Sequence, residues 1–140
     1  MSQNHELVLD VKNLAISYQT RKGLLPAVRG VNFSIGRGQT VGLVGESGCG
    51  KSVTSLSVMR LISAPGETVS GEIIFDDRNL IELSEEEMSH MRGNRLSMIF
   101  QQPQTSLNPV FKVGDQIAEV LQIHQNLKKD EAWDEAVQLL

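Results

Sequence analysis

The stretch Val41-Gly42-Leu43-Val44-Gly45-Glu46-Ser47-Gly48-Cys49-Gly50-Lys51-Ser52 joins an apolar run to a complete G-x-x-x-x-G-K-[ST] motif. Such a motif works when a strand feeds a glycine-rich turn whose backbone N–H groups wrap a phosphate. A helix must then follow, with its positive N-terminal end facing the same anion. Gly45, Gly48 and Gly50 supply the turn conformations and a close backbone approach, with Ser47, Cys49 and Val53 completing the loop and the first helical turn. Lys51 is expected to reach the β- and γ-phosphates, and the Ser52 hydroxyl to ligate Mg²⁺. The pattern predicts a nucleoside triphosphate site. A glycine-rich turn that binds nothing is a poor alternative, because Lys and Ser follow the third glycine at the required position.

Outward from this motif, composition narrows the field. The chain has 140 residues, enough for one domain or part of one. A net charge of −4 and no Lys/Arg run longer than Lys128-Lys129 argue against nucleic acid as a partner. The apolar runs reach four or five residues, far short of the ~20 of a membrane span. The start, Met1 to Glu6, lacks the features of a signal peptide, and the single Cys49 forms no internal disulfide, so the cytosol is the expected compartment.

Before the motif, apolar residues alternate at Leu7, Leu9 and Val11 and again at Leu14, Ile16 and Tyr18, predicting one or two strands broken near Asn13. Residues 19–30 read as a loop or hairpin, with Arg21 and Lys22 as solvated charges, and Val31, Phe33 and Ile35 as a second strand. After the motif, residues 50–62 read as the phosphate-binding helix and residues 72–76 as a short strand ended by a turn at Asp77-Arg78-Asn79. Ser84 and Glu87 form a capping box that starts a helix running to about Arg92. Leu96 to Phe100 reads as a buried strand and residues 101–109 as a polar loop. Residues 113–124 read as a helix with Ile117, Val120 and Leu121 on one face. A last helix carries Trp133, Ala136, Val137 and Leu140 at i, i+3, i+4 and i+7; it stops without a capping residue, so the chain is expected to be cut.

Taken with Met98-Ile99-Phe100-Gln101-Gln102-Pro103 and Thr105-Ser106-Leu107-Asn108-Pro109, the motif resembles the ATP-binding subunit of an ABC transporter, most closely the oligopeptide, dipeptide or nickel importer group. The resemblance runs from Leu7 to Leu140 and covers the N-terminal half of such a subunit. It implies an α/β fold, the P-loop NTPase type, with an antiparallel β portion inside a core to about residue 112. The start of a helical subdomain would occupy 113–140. It also implies ATP and Mg²⁺ as ligands, and Gln101 as the residue that ligates the metal or the attacking water, with Gln102 competing for the role. Tyr18 matches the aromatic residue that stacks on adenine, against the alternative of packing at a strand edge. The implied partners are transmembrane permease subunits, contacted near residues 101–113, and a second ATPase subunit. The implied location is the cytoplasmic face of the plasma membrane.

The family's second acidic motif, its signature and its switch histidine would lie beyond Leu140. Lys51 and Gln101 are the catalytic candidates present, and binding with little turnover is expected of these residues alone. Asp76, after Ile73-Ile74-Phe75, is a weak substitute for the missing acid: a small self-sufficient NTPase or kinase would use it, while in the resemblance this strand carries no catalysis. A non-catalytic nucleotide-binding module that docks on a partner is the other alternative. Cys49 reads as a small filler whose alkylation would block the loop, and His5, His90 and His124 have no metal-like spacing.

Overall fold

The two alternating sets before the motif become one strand. In the computed structural model, which describes residues 6–140, β1 runs Leu7–Thr20 and turns at Arg21-Lys22 into the antiparallel β2, Gly23–Gly36. Leu9 and Val11 are buried, and so are Leu14 and Ile16, although an uninterrupted two-residue repeat would send the second pair to the opposite face. A bulge reconciles them. Asn13 adopts φ 48° and the pairing register shifts between Val11 and Leu14, so odd positions before it and even positions after it face one core. The bulge is held by the Asn13 N–H, which donates to Asn32 Oδ1 at 2.8 Å. It also depends on Gly71 of the neighbouring strand. A Cβ there would lie 2.7 Å from Asn13 O, Leu14 Cα and Lys12 O, at φ 109°.

Of the two readings of residues 19–30, loop or hairpin, the structure has the hairpin, and most of these residues are strand. The two-residue turn and the continuous pairing with β1 override their polar and glycine-marked composition. β3, Gly66–Phe75, pairs antiparallel with β1 and is longer than expected; Asp76 and Asp77, at φ 45° and 62°, then turn the chain into β4, Arg78–Asn79. Two successive left-handed residues make the tight turn that suits the twist of a hairpin. The sheet order is β2-β1-β3-β4. Ile73, Phe75, Leu80 and Met88 join Val28 and the buried residues of β1 in the core.

Helix α1, Lys51–Val58, ends four residues before the expected Ile62. Arg60 turns left-handed (φ 51°) and the Leu61 N–H donates to Leu56 O at 2.8 Å, closing a Schellman-type end. The Arg60 guanidinium donates to Leu80 O and Leu83 O, so its side chain is anchored where the helix stops. Helix α2, Glu85–Met91, starts on the predicted capping box: Ser84 N donates to Glu87 Oε2 at 2.9 Å and Glu87 N donates to Ser84 Oγ at 3.2 Å. Those donors, Ser84 N–H before Ser84 O–H, and then the Arg78 guanidinium hold the Glu87 carboxyl below its usual pKa.

The chain divides into two compact units, Met1–Met88 and Ser89–Leu140. The second holds a 3₁₀ turn, Pro103–Ser106, and two helices, α3 (Val113–Gln125) and α4 (Lys129–Leu139), joined through left-handed Asn126. The packed face of α3 is Ala118 and Leu121 with Ile117 half-buried; Val120, expected there, is exposed. On α4 the buried residues are Ala132 and Ala136, while Trp133, Val137 and Leu140 face out. Small residues win the contact because they let two helix backbones come close, and the Trp133 ring lies instead over Gly114.

Two expected strands are absent. Val41–Val44 forms no ladder, with Val44 93% exposed; Leu96–Phe100 makes only an isolated bridge between Leu96 and Arg92, with Ile99 89% exposed. Strands of this continuous apolar kind are buried between neighbours on both edges. Among the described residues no strand lies beside either run.

Candidate functional site

The phosphate-type loop forms even though the run before it is unpaired. Gly48 (φ 80°) and Gly50 (φ 97°) take left-handed conformations, and Gly50 is the N-cap of α1. At Gly50 only glycine fits the space, whereas at Gly45 the crowding atom is the end of a cysteine side chain that can turn away. A Cβ on Gly45 would meet Cys49 Sγ at 2.6 Å, and one on Gly50 would meet Ala27 O at 2.8 Å. The second contact seats the end of the loop on β2. Ala27 and Val28 are therefore structural partners of the loop, and the Leu24-Leu25-Pro26-Ala27-Val28 run was the available signal for them.

Lys51 is folded over the loop. Its ammonium donates to Gly45 O at 2.7 Å and Glu46 O at 2.6 Å, with Cys49 Sγ at 3.5 Å. The arrangement holds one positive charge above the turn, next to the first N–H groups of an α-helix with no acidic residue in its first turn. An anion there would meet a cation and unpaired N–H donors together. Ser52 is exposed and Val53 half-buried in that first turn. Below them, the buried Thr54 and Ser57 hydroxyls donate to Gly50 O (2.9 Å) and Val53 O (2.6 Å), so no buried side-chain polar atom among the described residues lacks a partner. Ser47 and Cys49 lie exposed on the loop.

Tyr18 is tied to this loop through the sheet. It stands two residues from Ile16, which pairs with Val28, and Val28 Cγ2 would be 3.3 Å from a Cβ on Gly50. Two residues of strand span about 7 Å. Gln101 belongs to the second unit and is exposed ahead of the 3₁₀ turn. Asp76 occupies the β3–β4 turn, a position that explains its presence and that of Asp77 without a metal. Among the described residues no three His, Cys, Asp or Glu side chains are grouped as metal ligands. His5 lies outside the described residues. No described helix is long and apolar enough to cross a membrane.

Residues that sequence reasoning missed include Gln116, whose amide accepts from Asn108 N and donates to Asn108 O and Phe111 O, all within 3.1 Å. It pins a loop on which Val110 and Phe111 are exposed.

The family described as ABC transporter matches residues 28–140. The chain is 52% identical over 134 residues to the oligopeptide transport ATP-binding protein OppD of Bacillus subtilis, covering 95% of this chain and 37% of that protein. It is 50% identical over 136 residues to the probable peptide ABC transporter ATP-binding protein y4tR of Sinorhizobium fredii, covering 96% of this chain and 41% of that one. It thus spans about two fifths of the length of these curated relatives. Among solved structures, the post-hydrolysis dimer of the ATP-binding cassette MJ0796 with ADP and Pi superposes with a TM-score of 0.80 at 23% identity, over 93% of this chain and 54% of that one. The P-loop α/β fold expected from the sequence is the fold of that cassette.

Proposed function

The chain belongs to the ABC transporter family, and from that premise we propose that it is the ATP-holding face of an ATPase subunit that drives import of peptides through a membrane permease. The observation that carries the reading is the Lys51 ammonium held over the Gly45 and Glu46 carbonyls at the N-terminus of α1. On binding, the β- and γ-phosphates replace those carbonyls as its partners, and the loop and helix N–H groups hold the remaining charge. Gly45, Ser47, Gly48, Cys49, Gly50 and Val53 would line the anion, Tyr18 would stack on adenine, and Ser52 and Gln101 would each be a ligand for Mg²⁺. When bound, the metal would supply neutralisation of phosphate charge.

Peptide is favoured over nickel because relatives at about half identity carry oligopeptide and peptide transport names. The permease contacts residues 101–113, where the exposed Val110 and Phe111 offer an apolar surface, and a second ATPase subunit closes over the nucleotide. In this reading the working protein sits at the cytoplasmic face of the plasma membrane. The 140 residues hold neither the family's signature nor its second acidic motif, so they bind MgATP without sustained turnover.

Calorimetric titration of MgATP into the chain and its Lys51→Ala variant tests this. Binding that weakens about a hundred-fold or more on substitution is expected, as for loss of a charge-assisted phosphate contact. Unchanged affinity overturns the loop reading, and steady ATP hydrolysis abolished by Lys51→Ala overturns the claim of binding without turnover.

A further inference from the structure

The second unit holds a cavity that lies apart from the phosphate loop. It measures about 360 Å³ and is lined by residues of α3 and α4 alone, a volume that suits a small molecule. Helical spacing makes the lining. Asp115, Ala118 and Gln122 recur at i, i+3 and i+7 on α3, and Asp130, Trp133 and Asp134 at i, i+3 and i+4 on α4, so each helix turns one face to the cavity.

Trp133 gives that cavity an aromatic wall. A Cβ on Gly114 would lie 2.9 Å from Trp133 Cη2 and 3.0 Å from Cζ3, which fixes the outer edge of the indole against the first turn of α3. The residue stays 41% exposed, so part of the ring is open to a ligand. Gln122 donates from Nε2 to Ala118 O at 3.2 Å and brings Oε1 as an acceptor.

The charge of the lining is unbalanced, with three carboxylates against the single ammonium of Lys129. Among the described residues no cation lies within ion-pair distance of Asp115, Asp130 or Asp134. Asp115 and Asp130 stand in the first turns of their helices, where the N-terminal dipole favours them. Asp134 lacks that support and repels Asp130 from one turn away, as like charges at i, i+4 do. Glu131 and Glu135 repeat the spacing outside the cavity, so it is the aromatic wall and the enclosed volume that single out the aspartates. The carboxylates are also spread out. Among the described residues no three acidic, His or Cys side chains are grouped as metal ligands, which suits an extended organic cation better than a metal ion.

We infer that this cavity binds a small organic dication, a free alkyl diamine or its guanidino counterpart. The Trp133 ring takes one cationic end by cation–π attraction, the three carboxylates offset both charges, and the alkyl chain between them covers Ala118.

Trp133 is the single tryptophan, so its emission reports on the cavity alone. Titration of the chain with 1,4-diaminobutane at fixed ionic strength is expected to change that emission saturably, with a dissociation constant of about 1 mM or below, while 1,4-butanediol leaves it unchanged. By calorimetry, Asp134→Asn weakens the diamine about five-fold or more. Glu135→Gln, the same change of charge on α4 outside the cavity, binds it like the parent. N-acetyl-lysinamide, which carries the ammonium of a protein side chain, binds about ten-fold more weakly than the diamine. A titration that stays flat or does not saturate by about 20 mM overturns the proposal, as does an equal response to the diol. Equal losses for Asp134→Asn and Glu135→Gln mean attraction to overall charge, and N-acetyl-lysinamide bound as tightly as the diamine means a socket for a partner's lysine; either overturns the assignment. None of these outcomes bears on the phosphate loop, which belongs to the first unit.

Discussion

The antiparallel sheet and the two apolar runs, Val41–Val44 and Leu96–Phe100, are made of the same kinds of residue and end in opposite states. In β1 and β3, Val11, Leu14, Ile16 and Ile73 are at most 1% exposed, whereas Val44 and Ile99 are about nine-tenths exposed. Hydrophobicity does not separate them; access to partners does. β2 reaches β1 through a two-residue turn, and β4 reaches β3 through another, so these ladders close with little loss of chain entropy. A run buried on both faces needs neighbours brought by crossovers of a dozen residues or more. The glycine loop after Val44 keeps its form regardless, because Gly50 leans on β2 and the turn bonds are local.

The sharpest way to break this contrast is amide hydrogen exchange. Amides of β1 and β3 are expected to exchange more slowly than those of 41–44 and 96–100 by about a thousand-fold or more, the range between core ladders and open segments. Slow exchange at Leu43 or Ile99 would mean that these runs find partners. Next in size, Leu14→Ala should cost about 2–5 kcal/mol in denaturant unfolding, as for a buried leucine, while Ile99→Ala should stay within about 0.5 kcal/mol. Equal costs would erase the distinction. Gly71→Ala tests the bulge that keeps β1 in phase. A Cβ facing three backbone atoms at 2.7 Å should cost about 1–3 kcal/mol in the same assay. A neutral result would show that the bulge adjusts freely.

The smallest effect concerns the helix that follows the sheet. Because Glu87 is held below its unfolded pKa of 4.5, its contribution is present above that pH and is lost as pH falls through the lowered folded value. Glu87→Gln should flatten the acid limb of stability in that window and change little near neutrality. An acid limb identical to the parent's would refute the role of the capping box.

Legibility followed the range of the interactions. The Ser84–Glu87 box, the glycine loop, the left-handed Asn13 break and the helices near 113 and 129 depend on neighbours within a few residues, and their signals were in plain view. The hairpin was readable as an alternative, but the length of β2 was not, because Leu24 to Val28 gain their strand state from pairing with β1, against the look of Gly23 and Pro26. The helix faces were half read: Leu121 and Ala136 pack as expected, but Ala118 and Ala132 take the places that helical spacing assigned to the larger Val120 and Trp133.

What the sequence by itself determined is the loop on which the proposed anion site rests: Lys51 and Ser52 after three glycines define it through fixed spacing and backbone conformation. The family resemblance was likewise carried by short stretches, and so was a turn after Phe75, although it falls at Asp76-Asp77 and Arg78–Asn79, expected in the turn, pairs as β4. Only the tertiary structure decided that Gly50 rests on Ala27, that the Trp133 ring lies over Gly114, and that Arg60 ends α1 against Leu80 and Leu83. The reason is physical. Those contacts join residues far apart in the chain, and their geometry depends on register and burial, which no local pattern encodes.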